Sequence, residues 1–145
     1  MRVSEIMTDS VKTVSPSDTI QQAAGIMKQI DCGSVPVADN GQVVGMITDR
    51  DIVIQAVAEG KGANFPVKTS MSRPVVTISR DTDAREAADV MADHQVRRLP
   101  VVENGKLVGI LAIADLARVN IFVRESGQAL KEISEPTAGT GAIRH

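Results

Sequence analysis

Two short segments of the chain carry residue types whose spacing suits either a helix start or a ligand with a sugar and a phosphate. Residues 45–51 read GMITDRD and place Thr48 three residues before Asp51. A threonine hydroxyl can accept from an early helical N–H, and an acid three residues on favours the helix dipole. The same hydroxyl can contact a phosphate at a helix start, while a carboxylate suits the two hydroxyls of a ribose. Taken alone, the pattern favours plain helix capping.

The second segment, GILAIAD at residues 109–115, is a copy of the first within an internal repeat. With a shift of 64 positions, residues 3–53 align with 67–117 without a gap, and 15 of the 51 pairs are identical. The copy keeps the acid as Asp115 but has Ala112 in place of the threonine. This difference raises the question of what the hydroxyl does in the first copy.

Each copy predicts the same element order, β-α-β-β-α. A short extended segment precedes a helix in which Ile20, Ala23 and Met27 follow helical spacing. Two strands follow, SVPVAD and QVVGMI or RLPVVE and KLVGIL, joined by Asn-Gly turns at 40–41 and 104–105. A second helix is expected to start near Asp49 or Ile113. We therefore predict an α+β (α/β) fold of two repeats packed with pseudo-twofold symmetry.

The repeat also suggests how the chain is divided. We expect a first domain over 1–60, a connector over 61–66 and a second domain over 67–134 that includes a helical extension. Residues 135–145 lack periodicity and are expected to form a mobile tail.

Composition excludes several functional classes. The net charge is −2 and the chain has two Phe and no Tyr or Trp, which disfavours nucleic-acid binding. One cysteine and two histidines argue against a disulfide within the chain and a structural zinc site. Residues 1–12 lack the apolar run of a signal peptide, so we expect a cytoplasmic protein without a membrane partner. No nucleophile with a partnered base is evident, so no catalytic residue and no metal site are assigned.

The paired motifs resemble those of tandem cystathionine β-synthase (CBS) domains, the Bateman module. Both copies have a G-h-h-T-x-x-D-type segment, an h-P-V strand before it and a V-x-x-h-M opening, over about residues 1–120. TDRDI at 48–52 and HQVRRLPV at 94–101 resemble small bacterial stand-alone CBS pairs. The resemblance implies a non-catalytic regulatory homodimer that binds AMP, ADP or ATP, with S-adenosylmethionine and NAD as alternatives. Residues 119–134 would then supply a dimer contact or a lid.

In similar modules each cleft takes its T-x-x-D from one repeat and its h-P-V loop from the other. The resemblance thus implies a ligand site formed by Ile47, Thr48, Arg50, Asp51, Thr77, Ser79, His94, Arg97, Arg98 and Pro100. The opposite cleft would combine Asp115 with Ser15, Ser34 and Pro36, and it lacks both the hydroxyl and the arginines. We therefore expect one functional and one degenerate nucleotide site.

Simpler roles stay open for several of these residues. Arg97 and Arg98 suit phosphate oxygens but also an ordinary solvated strand end. His94 suits a helix C-terminus, and the serines and Thr77 suit turns. An alternative function is a regulatory protein-interaction module with vestigial clefts that acts on a separate enzyme or transporter.

Overall fold

The structure, a computed structural model, describes residues 1–73 and 75–119. Apart from Val119, the expected extension and the expected tail lie outside these residues. The helices are α1 Ile20–Ile30, α2 Asp49–Asp51, α3 Ala84–His94 and α4 Ile113–Ala117. The strands are β1 Ser34–Asp39, β2 Gln42–Thr48, β3 Ile78–Ser79, β4 Arg98–Glu103 and β5 Lys106–Ala112. Two 3-10 turns cover Val3–Glu5 and Val67–Thr69, and a π-helix over Ile52–Val57 directly continues α2. Among the described helices, none has the length and apolar character needed to cross a membrane.

The two hairpins form as the sequence predicts. Their Asn-Gly turns hold all four residues at positive φ, 52° and 82° in the first turn and 54° and 81° in the second. In the first hairpin β1 and β2 are antiparallel, and Ser34 lies opposite Thr48. In the second hairpin β4 also pairs with β3 in parallel. The last strand of each hairpin leads directly into a helix, since β2 ends at Thr48 before α2, and β5 ends at Ala112 before α4.

The chain divides into two compact units. Among the described residues, the first-repeat unit contains Lys12–Val75 and Gly105–Leu107. The second-repeat unit contains Met1–Val11, Val76–Asn104 and the described residues from Val108 onward. The core of the first-repeat unit consists of Val14, Ala23, Met27, Val35, Val37, Ile47 and Val67. The core of the second-repeat unit consists of Val3, Ile78, Ala84, Ala87, Ala88, Met91, Leu99, Val101, Leu111, Ile113 and Leu116. Each unit thus buries its own apolar side chains.

Each repeat opens with a leading segment, from Val3 to Thr8 in the first repeat and from Val67 to Ser72 in the second. This segment packs into the core of the other repeat. Val3 is fully buried in the second-repeat core, and its N–H donates to the Thr82 carbonyl at 2.9 Å. Its counterpart Val67 is fully buried in the first-repeat core, and its N–H donates to the Asp18 carbonyl at 2.7 Å. The sequence repeat alone does not show this exchange, because chain continuity suggests that each leading segment stays with the helix that follows it.

A glycine in each second hairpin strand allows this close packing. A Cβ on Gly45 would lie 2.9 Å from Met71 Sδ and 2.9 Å from the Ser72 carbonyl oxygen. A Cβ on Gly109 would lie 2.5 Å from Met7 Sδ and 3.0 Å from the Thr8 carbonyl oxygen. Only a residue without a side chain leaves room for the leading segment at these positions.

Replacing Gly109 by alanine should therefore loosen the leading segment and lower the free energy of unfolding by about 1 to 3 kcal/mol. Urea unfolding followed by circular dichroism measures this, since the chain has no Trp or Tyr. The matched control is Gly25→Ala in α1, where a Cβ would meet nothing within 4 Å. The control should raise the stability by about 0.5 to 1 kcal/mol. Equal effects of the two substitutions would contradict the packing argument.

Candidate functional site

Thr48 and Asp51 form a reciprocal cap at the start of α2. The Asp51 N–H donates to Thr48 Oγ1 at 3.0 Å, and the Thr48 N–H donates to Asp51 Oδ2 at 3.0 Å. Thr48 has extended backbone angles, φ −116° and ψ 163°, as a helix-capping residue requires. The capping prediction is confirmed. Both residues are half-buried.

Ser72 adds a second hydroxyl to this pair. Its Oγ donates to Asp51 Oδ1 at 3.2 Å and to Oδ2 at 3.3 Å. The backbone of Ser72 is fixed by two hydrogen bonds with Met46, of 2.8 and 3.2 Å. Sequence reasoning missed this residue. The signal that could have found it is the hydroxyl residue that follows both Met7 and Met71.

The loop before β1 lies beside the same helix start. The Gly33 carbonyl accepts from the Asp49 N–H at 2.9 Å, and a Cβ on Gly33 would lie 2.7 Å from Asp49 Oδ2. Ser34 is buried there, and the Cys32 thiol donates to its carbonyl at 3.4 Å. Gly33 therefore lies directly against the first residue of α2.

The second-repeat unit keeps the backbone of the cap without the hydroxyl. Ala112 has φ −105° and ψ 155°, close to the angles of Thr48, and its N–H donates to Asp115 Oδ2 at 2.8 Å. An Arg118 guanidinium nitrogen lies 3.2 Å from Asp115 Oδ1. Asp115 is only 6% exposed, so its carboxylate is covered by its own chain.

The structure places the other candidates in separate units. Ile47 and Pro36 are buried in the first-repeat unit, where Arg50 is exposed and the Ser15 N–H donates to Asp18 at 2.8 Å. Pro100 is buried in the second-repeat unit, where Thr77, Arg97 and Arg98 are half-buried. In the same unit, Ser79 Oγ accepts from the Asp81 N–H at 3.2 Å. His94 Nδ1 lies 3.0 Å from the Val90 carbonyl oxygen. The Arg97 carbonyl accepts from the Ile113 N–H at 2.9 Å. That Arg97 and Arg98 serve the same ligand as Thr48 stays a prediction.

Comparison with known proteins identifies the family. A family model described as the CBS domain matches residues 3–57 and again residues 67–121. The chain belongs to the CBS-domain family. The CBS domain-containing protein YhcV of Bacillus subtilis (strain 168) is 43% identical over 132 residues, which cover 91% of this chain and 94% of YhcV.

Solved CBS structures show the same fold with different ligands. Hypoxic Response Protein I, solved with two coordinated zinc ions, has a TM-score of 0.75 and 35% identity, covering 81% of this chain and 98% of that one. CBSX2 in complex with AMP has a TM-score of 0.74 and 26% identity, covering 85% and 98%. The CBS pair of protein MJ0100, in complex with 5′-methylthioadenosine and S-adenosyl-L-methionine, has a TM-score of 0.72 and 28% identity, covering 81% and 94%. Within residues 1–73 and 75–119 of this CBS pair, no three His, Cys, Asp or Glu side chains are grouped to hold a metal.

The two CBS repeats offer a matched test of the cap. Thr48→Ala should lower the free energy of unfolding by about 1 kcal/mol, because the Asp51 N–H loses its acceptor. Ala112→Thr should raise it by a similar amount of about 1 kcal/mol, because the backbone there already has capping angles. Urea unfolding of both variants measures the two changes. A loss of stability in Ala112→Thr would contradict the view that the second repeat has a vacant capping position.

Proposed function

We propose that this CBS pair is a non-catalytic regulatory module that binds an adenosine nucleotide such as AMP, ADP or ATP. The observation that carries the proposal is the cluster of Thr48, Asp51 and Ser72, in which two hydroxyls and one carboxylate meet at a half-buried helix start. CBS pairs similar to this chain have been solved with AMP, 5′-methylthioadenosine and S-adenosyl-L-methionine, which all contain adenosine.

The cluster has hydrogen-bonding capacity left for a ligand. A carboxylate offers about four acceptor positions, and Asp51 uses its oxygens for the Thr48 N–H and the Ser72 hydroxyl. The remaining positions suit the two hydroxyls of a ribose. Thr48 Oγ1 accepts from the Asp51 N–H, so its own proton can be donated to a phosphate oxygen.

We assign the cationic contacts to arginine side chains. Arg50 is exposed one residue before Asp51. From the CBS resemblance, we propose that Arg97 and Arg98 also bind the phosphates through charge-assisted hydrogen bonds. These contacts favour the phosphorylated nucleotides over S-adenosylmethionine, which is cationic.

A second candidate function is a protein-interaction module whose ligand sites are vestigial. Two features of the second repeat support this function. Asp115 is buried, so a ligand has little access to its carboxylate, and Ala112 has no hydroxyl to offer a ligand. Thermal-shift screening with AMP, ADP, ATP, NAD and S-adenosylmethionine separates the two functions. The absence of a shift with all five compounds favours the interaction module.

Calorimetry with the nucleotide that gives the largest thermal shift should show one site per chain. Asp51→Asn should weaken binding about 10- to 100-fold, because an amide loses the charge-assisted bonds and one acceptor. The matched control is Asp49→Asn, which removes the same charge from an exposed side chain of α2 and should leave the affinity within about threefold, as for a surface charge. Two equal high-affinity sites, or equal losses in the two variants, would contradict the assignment.

We also propose that the module is a homodimer that uses the exposed face of the π-helix. Val53, Ile54 and Val57 on this helix are 55%, 42% and 67% exposed. An apolar face of this kind favours a contact that excludes water. An aliphatic face is complementary to itself, as a twofold contact between identical copies requires.

Val57→Lys should convert the dimer to a monomer at micromolar concentrations, because the interface would then bury a charge from each copy. Size-exclusion chromatography with light scattering measures the mass. The control is Ile30→Lys, which introduces the same charge at a 40% exposed aliphatic residue at the end of α1. A dimer that survives Val57→Lys would show that this face is not the interface.

A further inference from the structure

Arg118 lies three residues after Asp115 and forms an ion pair with its carboxylate. A guanidinium nitrogen is 3.2 Å from Asp115 Oδ1, while the Ala112 N–H donates to Oδ2 at 2.8 Å. The side chain of Asp115 is 7% exposed and that of Arg118 is 75% exposed. Each carboxylate oxygen therefore has a donor from the same chain, and the acid is buried while its cationic partner is exposed.

The first repeat has a different residue at this position. With the same shift of 64 positions, Ile54 corresponds to Arg118 one residue beyond the aligned block, and it carries no charge. The carboxylate of Asp51 instead receives the neutral hydroxyl of Ser72 and is half-buried. The two repeats thus share the acid and its backbone cap but differ in the group that occupies the remaining acceptors.

We infer that Arg118 closes the acid of the second CBS repeat to ligands by holding Asp115 in an internal ion pair. A ribose diol brings two neutral donors, whereas the guanidinium is a cation and attracts the carboxylate through its charge as well as through a hydrogen bond. The diol would also have to reach the carboxylate of Asp115, whose side chain is almost fully buried. This inference rests on the proposed function, because it concerns the same type of site in the other repeat. It assigns the asymmetry of the two repeats to Arg118 as well as to the missing hydroxyl at Ala112.

The test measures AMP binding by calorimetry for the full chain and four variants. These are Ala112→Thr, Arg118→Ile, the double variant Ala112→Thr/Arg118→Ile and the double variant Ala112→Thr/Arg118→Lys. The wild type should bind one AMP per chain. Only the double variant with isoleucine should bind two, because it alone copies the first repeat at both positions. The lysine variant keeps a cation near Asp115 and should bind one.

The diol is tested with 2′-deoxy-AMP, which lacks one of the two ribose hydroxyls. The second site of the isoleucine double variant should bind this compound at least tenfold more weakly than AMP. Circular dichroism of each variant confirms folding, and Arg118 is exposed enough for its replacement to be tolerated.

Each outcome decides the inference. Two sites in Ala112→Thr alone would overturn it, because the hydroxyl would then suffice. One site in the isoleucine double variant, with a folded protein, would also overturn it. A wild type that binds no AMP, with one site gained in the isoleucine double variant, would uphold the role of Arg118 and refute AMP binding at Thr48 and Asp51. No binding by any variant would overturn both.

Discussion

The close approach of a leading segment to a glycine in a hairpin strand is the constraint on which each unit depends. Because Gly45 has no side chain, the backbone of Ser72 can hydrogen-bond to Met46 in β2. This pairing places the hydroxyl of Ser72 on the carboxylate of Asp51. The same approach at Gly109 brings Thr8 to Ile110 in the other unit. The candidate site is therefore a consequence of core packing as well as of the motif.

The capping bonds leave Thr48 and Asp51 with hydrogen-bonding groups that the proposed ligand can use. The capping bonds use the N–H groups of both residues, one carboxylate oxygen and one lone pair of the hydroxyl. The hydroxyl proton and further acceptor positions are left for other partners. Ala112 shows that the helix start keeps its backbone angles without a hydroxyl. Removing the hydroxyl of Thr48 should lower the free energy of unfolding by about 1 kcal/mol, which a fold of this size tolerates.

Local patterns predicted the elements well, whereas contacts between distant segments were not predictable. The Asn-Gly turns and apolar alternation fix β1 from Ser34 and β4 from Arg98, as expected. The partner of a leading segment depends on packing between residues far apart in the chain, such as Val3 with Thr82 and Val67 with Asp18, and no local signal records it. Ser72 was missed for that reason. The widening of α2 into a π-helix at Ile52 has no counterpart in the apolar pattern either.

A regulatory module needs a contact whose strength changes when the ligand binds. In the proposed site Asp51 would provide one, because its carboxylate accepts from Ser72 in the leading segment and from the Thr48 N–H at the start of α2. A ligand that uses the same oxygens must share them with the Ser72 hydroxyl. Ligand binding and the docking of the leading segment are then energetically coupled, and the coupling is reciprocal. The size of the response is limited by the difference in ligand affinity between the docked and loosened segment. In the second repeat, Arg118 lies three residues after Asp115 and pairs with its carboxylate, so that acid is held by a residue of its own helix end.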